Sequence, residues 1–248
     1  MTRRLLILGG TTEAAALARA AVARFGEALA VTTSLAGRIP PSQNLAGEVR
    51  VGGFGGADGI VEYLEDSGTD LVVDATHPFA AEISRHAEAA CVRTGIPRLM
   101  LIRPPWQPES GDDWIEVDGL DGAATALPGI ARRVFLATGP GGIGAFSQVQ
   151  NVWFLVRTFE RPTGALPLND HAVVVARPPF TVEGEVALLT DHRIDTLVSK
   201  QSGGPTDAKL AAARAVGVRV IMVRRPEPPD GESVETVEDA LDWIAARL

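Results

Sequence analysis

The chain has 248 residues, 46% of them hydrophobic and 22% charged, enough to bury one large or two small α/β cores. Its 23 basic and 31 acidic side chains give a formal charge of −8 with no run of lysine or arginine, which argues against nucleic acid as a partner. The opening MTRRLLIL imitates the basic start of a signal peptide, but Gly9 and Gly10 cut its apolar stretch short, and no span approaches a membrane helix. A single cysteine, Cys91, excludes an internal disulfide, reads as a small buried apolar residue and suits a reducing cytoplasm.

The first predicted strand, 4–8, runs into GGTTEA and a helix over 12–23. Gly9 and Gly10 let backbone approach a phosphate, and Thr11 and Thr12 place hydroxyls and amides at the helix N-terminus. The full G-x-G-x-x-G fingerprint is absent, and Glu13 also fits a plain helix start that favours an acid. The second strand, 29–33, ends in VTTSLAGR, without the carboxylate that would bond the ribose 2′-hydroxyl of NAD. Ser34 and Arg38 instead complement a 2′-phosphate, which favours NADP; the other reading is a turn cap and a solvated charge. GGFGGADGI, 52–60, leads into another helix, and Gly53 is its candidate cofactor contact, the remaining glycines serving loop geometry.

A buried strand over 71–74 ends in DATHP before a helix over 80–94. This puts Asp74, Thr76 and His77 at a carboxyl edge, where ligands bind in open α/β sheets. Asp74 fits a capping role, whereas Thr76 and His77 are candidate cofactor contacts; the alternative for His77 is a satisfied turn residue. A strand over 98–102 leads to Arg103.

The second half repeats this order, with strands at 134–137, 152–156, 172–176, 196–199 and 219–223 and a helix over 207–216. LLILGGTTEA corresponds to VFLATGPGGIGAF, LVVDATHP to LVSKQSGGP, and GIPRLMLIRPP to GVRVIMVRRPEP. The pattern predicts an α/β fold of two Rossmann-like lobes with mainly parallel sheets, residues 1–130 and 131–248, meeting at an inter-lobe cleft that the carboxyl-end loops of both sheets face. WIEVDG and SVETVEDALDWI are edge elements for either lobe. The four histidines show no metal-ligand spacing, so no metal is expected.

In order, LILGGTTEA, TSLAGR, VVDATHPFAAEIS, GIPRLMLIRPPW, LATGPGG, ARPPF, LVSKQSGG and GVRVIMVRRP resemble the precorrin-6A reductase family of cobalamin biosynthesis, across nearly the whole chain. The resemblance implies an NADPH-dependent oxidoreductase that adds hydride and proton across one double bond of a tetrapyrrole, precorrin-6A, to give precorrin-6B, with cofactor and substrate in the inter-lobe cleft. Such a substrate carries several carboxylates, and a protein of net negative charge must concentrate cations to hold it. Arg103, Arg157 and Lys200, with Gln201 and Ser202, are the candidate substrate contacts, and Arg161, Arg177 and Arg224 lie in adjacent positions. Lys200 and His77 are also candidate catalytic groups, while Tyr63, a substrate carboxyl or water stay open as proton donors. A non-catalytic NADP-sensing module, or a reductase of another polyanion, leaves this chain-long resemblance unexplained.

Overall fold

The computed structural model describes residues 2–36 and 45–248. In chain order the elements are β1 (Arg3–Leu8), α1 (Thr12–Phe25), β2 (Leu29–Leu35), β3 (Glu48–Val51), α2 (Ala57–Ser67), β4 (Leu71–Asp74), α3 (Ala81–Thr94), β5 (Arg98–Leu101), β6 (Trp114–Val117), α4 (Gly119–Ala126) and β7 (Arg133–Ala137). After a 3₁₀ segment, Pro140–Phe146, come β8 (Trp153–Thr158), β9 (His171–Val175), α5 (Val182–Asp191), β10 (Thr196–Lys200), α6 (Ala208–Val216), β11 (Arg219–Val223), β12 (Glu232–Val234) and α7 (Val237–Ala245).

These elements form two compact units: Met1–Pro104 with Glu227–Leu248, and Pro105–Pro226. Each holds a six-stranded sheet, ordered β12-β5-β4-β1-β2-β3 in the first and β6-β11-β10-β7-β8-β9 in the second. All pairings are parallel. The strand orders coincide when β1 to β5 are matched with β7 to β11, so the strands behind the paired sequences GIPRLMLIRPP and GVRVIMVRRPEP take corresponding places.

The division expected at 130/131 is corrected by the sixth strand of each sheet. β6 follows β5 in the chain yet pairs with β11, Val220 opposite Trp114; β12 follows β11 yet pairs with β5, Leu99 opposite Glu232. Each repeat thus completes the other's sheet. Packing fixes the exchange: α7 buries Ala240, Leu241, Trp243 and Ile244 in the same core as Leu99, Leu101 and the α1 residues Leu17 and Ala21.

The apolar run of β1 reflects coverage on both faces. Leu5 and Ile7 meet Leu17, Ala18 and Ala21 on one side, and Leu6 and Leu8 meet Ile60, Leu64, Ala87 and Ala90 on the other. Cys91 lies in that second cluster, where burial pushes its thiol up to about 11 and keeps it a neutral packing group. Among the described residues no helix is long and apolar enough to cross a membrane.

Candidate functional site

The carboxyl edge of the first sheet is tied together by hydrogen bonds that run from strand to strand. Gly52 N–H donates to Leu35 O at 2.8 Å, Gly9 N–H to Ser34 O at 2.9 Å and Ala75 N–H to Leu8 O at 3.0 Å. Thr11 caps α1, its Oγ1 accepting from Ala14 N–H at 3.1 Å while donating to Ala75 O at 2.7 Å. Glu13 in the first turn accepts from Arg103 Nη1 at 2.9 Å, which ties α1 to the segment after β5.

Two glycines shape this edge differently. A Cβ on Gly9 would lie 2.8 Å from Thr33 Cγ2, so β1 and β2 approach too closely for a side chain. Gly10 has φ +110° and nothing within 4 Å of a Cβ, which leaves bare backbone beside the N-terminus of α1. Ser34 is buried at the end of β2, opposite Arg50 of β3, and its Oγ accepts from Arg50 Nη1 at 3.3 Å. Arg38 lies outside the described residues.

The turn after β4 is internally bonded. Asp74 Oδ1 accepts from the Thr76 amide at 3.1 Å and hydroxyl at 2.7 Å, and the same hydroxyl lies 3.3 Å from Ser84 Oγ. His77 Nδ1 accepts from Phe79 N–H at 3.2 Å, so the neutral ring carries its proton on Nε2. Gly53 O accepts from Arg50 Nη2 at 2.9 Å.

At the corresponding edge of the second sheet, β10 ends at Lys200, a half-buried lysine that burial shifts below the ordinary lysine value. The turn that follows is clamped from three sides. Gln201 accepts from Trp106 N–H at 2.9 Å through Oε1 and donates from Nε2 to Trp106 O at 3.0 Å. Arg225 donates to the carbonyls of Gln201 at 2.7 Å and Ser202 at 3.1 Å, and Trp106 Nε1 donates to Gly204 O at 2.9 Å. Gly203 and Gly204 both take the left-handed conformation that this turn needs, φ 65° and 74°.

The glycine-rich loop of this second unit differs from its counterpart after β1. It enters a 3₁₀ segment with proline in its first turn, where the first unit has a 14-residue α-helix, so aligned amides and helix dipole favour the first unit for a pyrophosphate.

The chain matches the family described as precorrin-6x reductase CbiJ/CobK over residues 4–245. It belongs to that family. It is 49% identical over 243 residues to the precorrin-6A reductase of Rhodococcus erythropolis, covering 97% of each chain, and 43% identical over 244 residues to that of Mycobacterium tuberculosis, covering 98% and 97%. A cobalt-precorrin-6A reductase of Priestia megaterium is 27% identical across 96% of each chain. The solved structure of a CobK precorrin-6A reductase is similar with TM-score 0.92 at 42% identity, over 99% of this chain and 97% of that one.

For this precorrin-6x reductase family member, the first sheet's edge brings together Gly9, Gly10, Thr11, Thr12, Ser34, Gly53, Thr76 and His77, all expected cofactor contacts. Two expected substrate contacts have partners within their own unit. Arg157, in β8, is 9% exposed and paired at 2.6 Å with Glu185 of α5, which is 3% exposed, so its charge is answered inside the unit. Gln201 spends its amide on the Trp106 backbone and builds the turn that presents Lys200. Nothing local in the sequence pairs Gln201 with a residue 95 positions away. Among the described residues no three His, Cys, Asp or Glu side chains gather as metal ligands.

Gln201→Ala strands two Trp106 backbone groups and is expected to cost about 1–3 kcal/mol. Chemical denaturation should register that loss together with a lower kcat, since the turn after Lys200 loosens; unchanged stability would refute the clamp.

Proposed function

We propose that this chain is an NADPH-dependent precorrin-6A reductase, adding a hydride and a proton across one double bond of the macrocycle to give precorrin-6B. The observation that carries the reading is end-to-end similarity to a relative of that name at 49% identity. The first sheet's edge fits a dinucleotide: bare backbone at Gly10, the α1 N-terminus, and Ser34 at the strand end where a site for NAD would place a carboxylate. A reduced nicotinamide supplies the hydride when bound.

This chain's own residues do the positioning. The Gly9–Gly10 turn and the amides of Thr11 and Thr12 hold the pyrophosphate, Ser34 and Arg38 meet the 2′-phosphate, and Gly53, Thr76 and His77 line the rest of the coenzyme. Lys200 and Ser202 hold substrate carboxylates. The Lys200 ammonium, acidified by burial, or His77 Nε2 delivers the proton.

Anaerobic incubation of the purified chain with precorrin-6A and NADPH, followed by optical spectra and mass analysis, tests this. The expected product is heavier by one hydride and one proton, with matching coenzyme oxidation. Coenzyme binding without turnover would favour a sensing module, and turnover of another polyanion alone would displace the substrate assignment.

A further inference from the structure

We propose that Arg50 reads the 2′-phosphate of the coenzyme, with Ser34 as its neighbour in the same corner; this rests on the NADPH reading above. Arg50 sits in β3, in register with Ser34 at the end of β2. Its Nη1 donates to Gly52 O at 2.6 Å and to Ser34 Oγ at 3.3 Å, and its Nη2 donates to Gly53 O at 2.9 Å. The guanidinium lies 3.8 Å from the Phe54 ring centroid and 5.3 Å from that of Tyr63, and those two rings meet edge to face at 5.4 Å.

Every one of these partners is neutral. Among the described residues no carboxylate pairs with Arg50, although the protein is acidic and most of its strand-end arginines are answered by Asp or Glu. The two carbonyls and the aromatic stack fix the plane of the guanidinium, and they leave Nε–H and a second Nη2–H for an incoming anion.

The other unit shows the contrast. Arg157, near the end of the corresponding second strand, is also held against aromatic rings, 4.7 Å from Phe135 and 4.0 Å from Phe180, but buried Glu185 neutralises it. That corner is electrically closed. The one in the first unit is open, and it adjoins the same strand end that lacks the NAD-type carboxylate.

The test titrates the full chain with 2′,5′-ADP and 5′-AMP, which differ by the 2′-phosphate, and with NADPH and NADH. The wild type is expected to prefer the phosphorylated member of each pair. Arg50→Gln should reduce that preference about 10- to 100-fold, almost entirely through weaker binding of 2′,5′-ADP and NADPH. Arg50→Lys, which keeps the charge but loses the fork and part of the stack, should fall between. A preference retained in Arg50→Gln, equal loss of both members of each pair, or discrimination lost only in Arg38→Gln would each overturn the assignment. Absence of any preference in the wild type would instead remove the NADPH reading beneath it.

Discussion

Glu185→Ala is expected to destabilise the second unit by about 3–5 kcal/mol, because it leaves the Arg157 guanidinium enclosed and unpaired. The pair is 2.6 Å apart and almost wholly buried, so solvent screens it little. Arg157→Met removes the enclosed cation and keeps most of its apolar volume, so it should cost less than Glu185→Ala. The intact pair is still not a large source of net stability. Arg157 Nε and Glu185 Oε2 are both buried without a hydrogen-bond partner among the described residues, so the desolvation of the two ions is only partly offset. The double variant Arg157→Met with Glu185→Leu should therefore recover most of the stability lost by Glu185→Ala.

Denaturant midpoints for the three variants check this order. A loss below about 1 kcal/mol in Glu185→Ala would mean that water reaches Arg157. The double variant also settles whether Arg157 touches substrate: KM for precorrin-6A should stay at the wild-type value, and a large rise would return Arg157 to the binding surface.

Arg157 also marks the limit of what the chain discloses in one dimension. The strands at its centre were legible because parallel strands covered on both faces must be apolar throughout, as LLIL and VFLA are. The echo between halves was legible for the same reason, and it anticipated the shared strand order. An arginine at a strand end reads as available for ligand, yet Glu185, 28 residues further on, reaches it only once α5 packs over the sheet. The sixth strands were ambiguous because ESV and WIEV are short and partly polar, and either sheet edge could accept them. Their side is decided by tertiary register. Arg50 was missed for a related reason: EVRV is a four-residue edge strand whose valines, Val49 and Val51, stay exposed, so it carries no hydrophobic signal. Ser34 could be placed from sequence because it lies near the carboxyl end of a predicted strand, beside a glycine-containing turn.

Lys200→Met is expected to lower kcat/KM for precorrin-6A by about 10- to 100-fold, the loss of a charge-assisted contact with a substrate carboxylate, while NADPH affinity stays nearly unchanged. The wild-type reaction should weaken with salt and the variant much less. The pH dependence follows from burial, which lowers the proton affinity of Lys200 below that of a free lysine. Substrate capture by the ammonium should therefore fall as pH rises through this depressed value, earlier than for an exposed lysine, and the variant should lack that limb. For stability the sign is opposite. Between the depressed value and the ordinary lysine value the unfolded chain binds more protons than the folded one, so stability rises with pH across that window, and Lys200→Met should flatten the slope. The same variant separates holding from proton delivery. If Lys200 only holds substrate, saturating precorrin-6A restores kcat; if it delivers the proton, kcat stays low at saturation and the wild type shows a solvent isotope effect on kcat. A Lys200→Met enzyme with wild-type kcat/KM would take Lys200 out of the site altogether and leave the Gln201 and Arg225 clamp to be explained by turn stability alone.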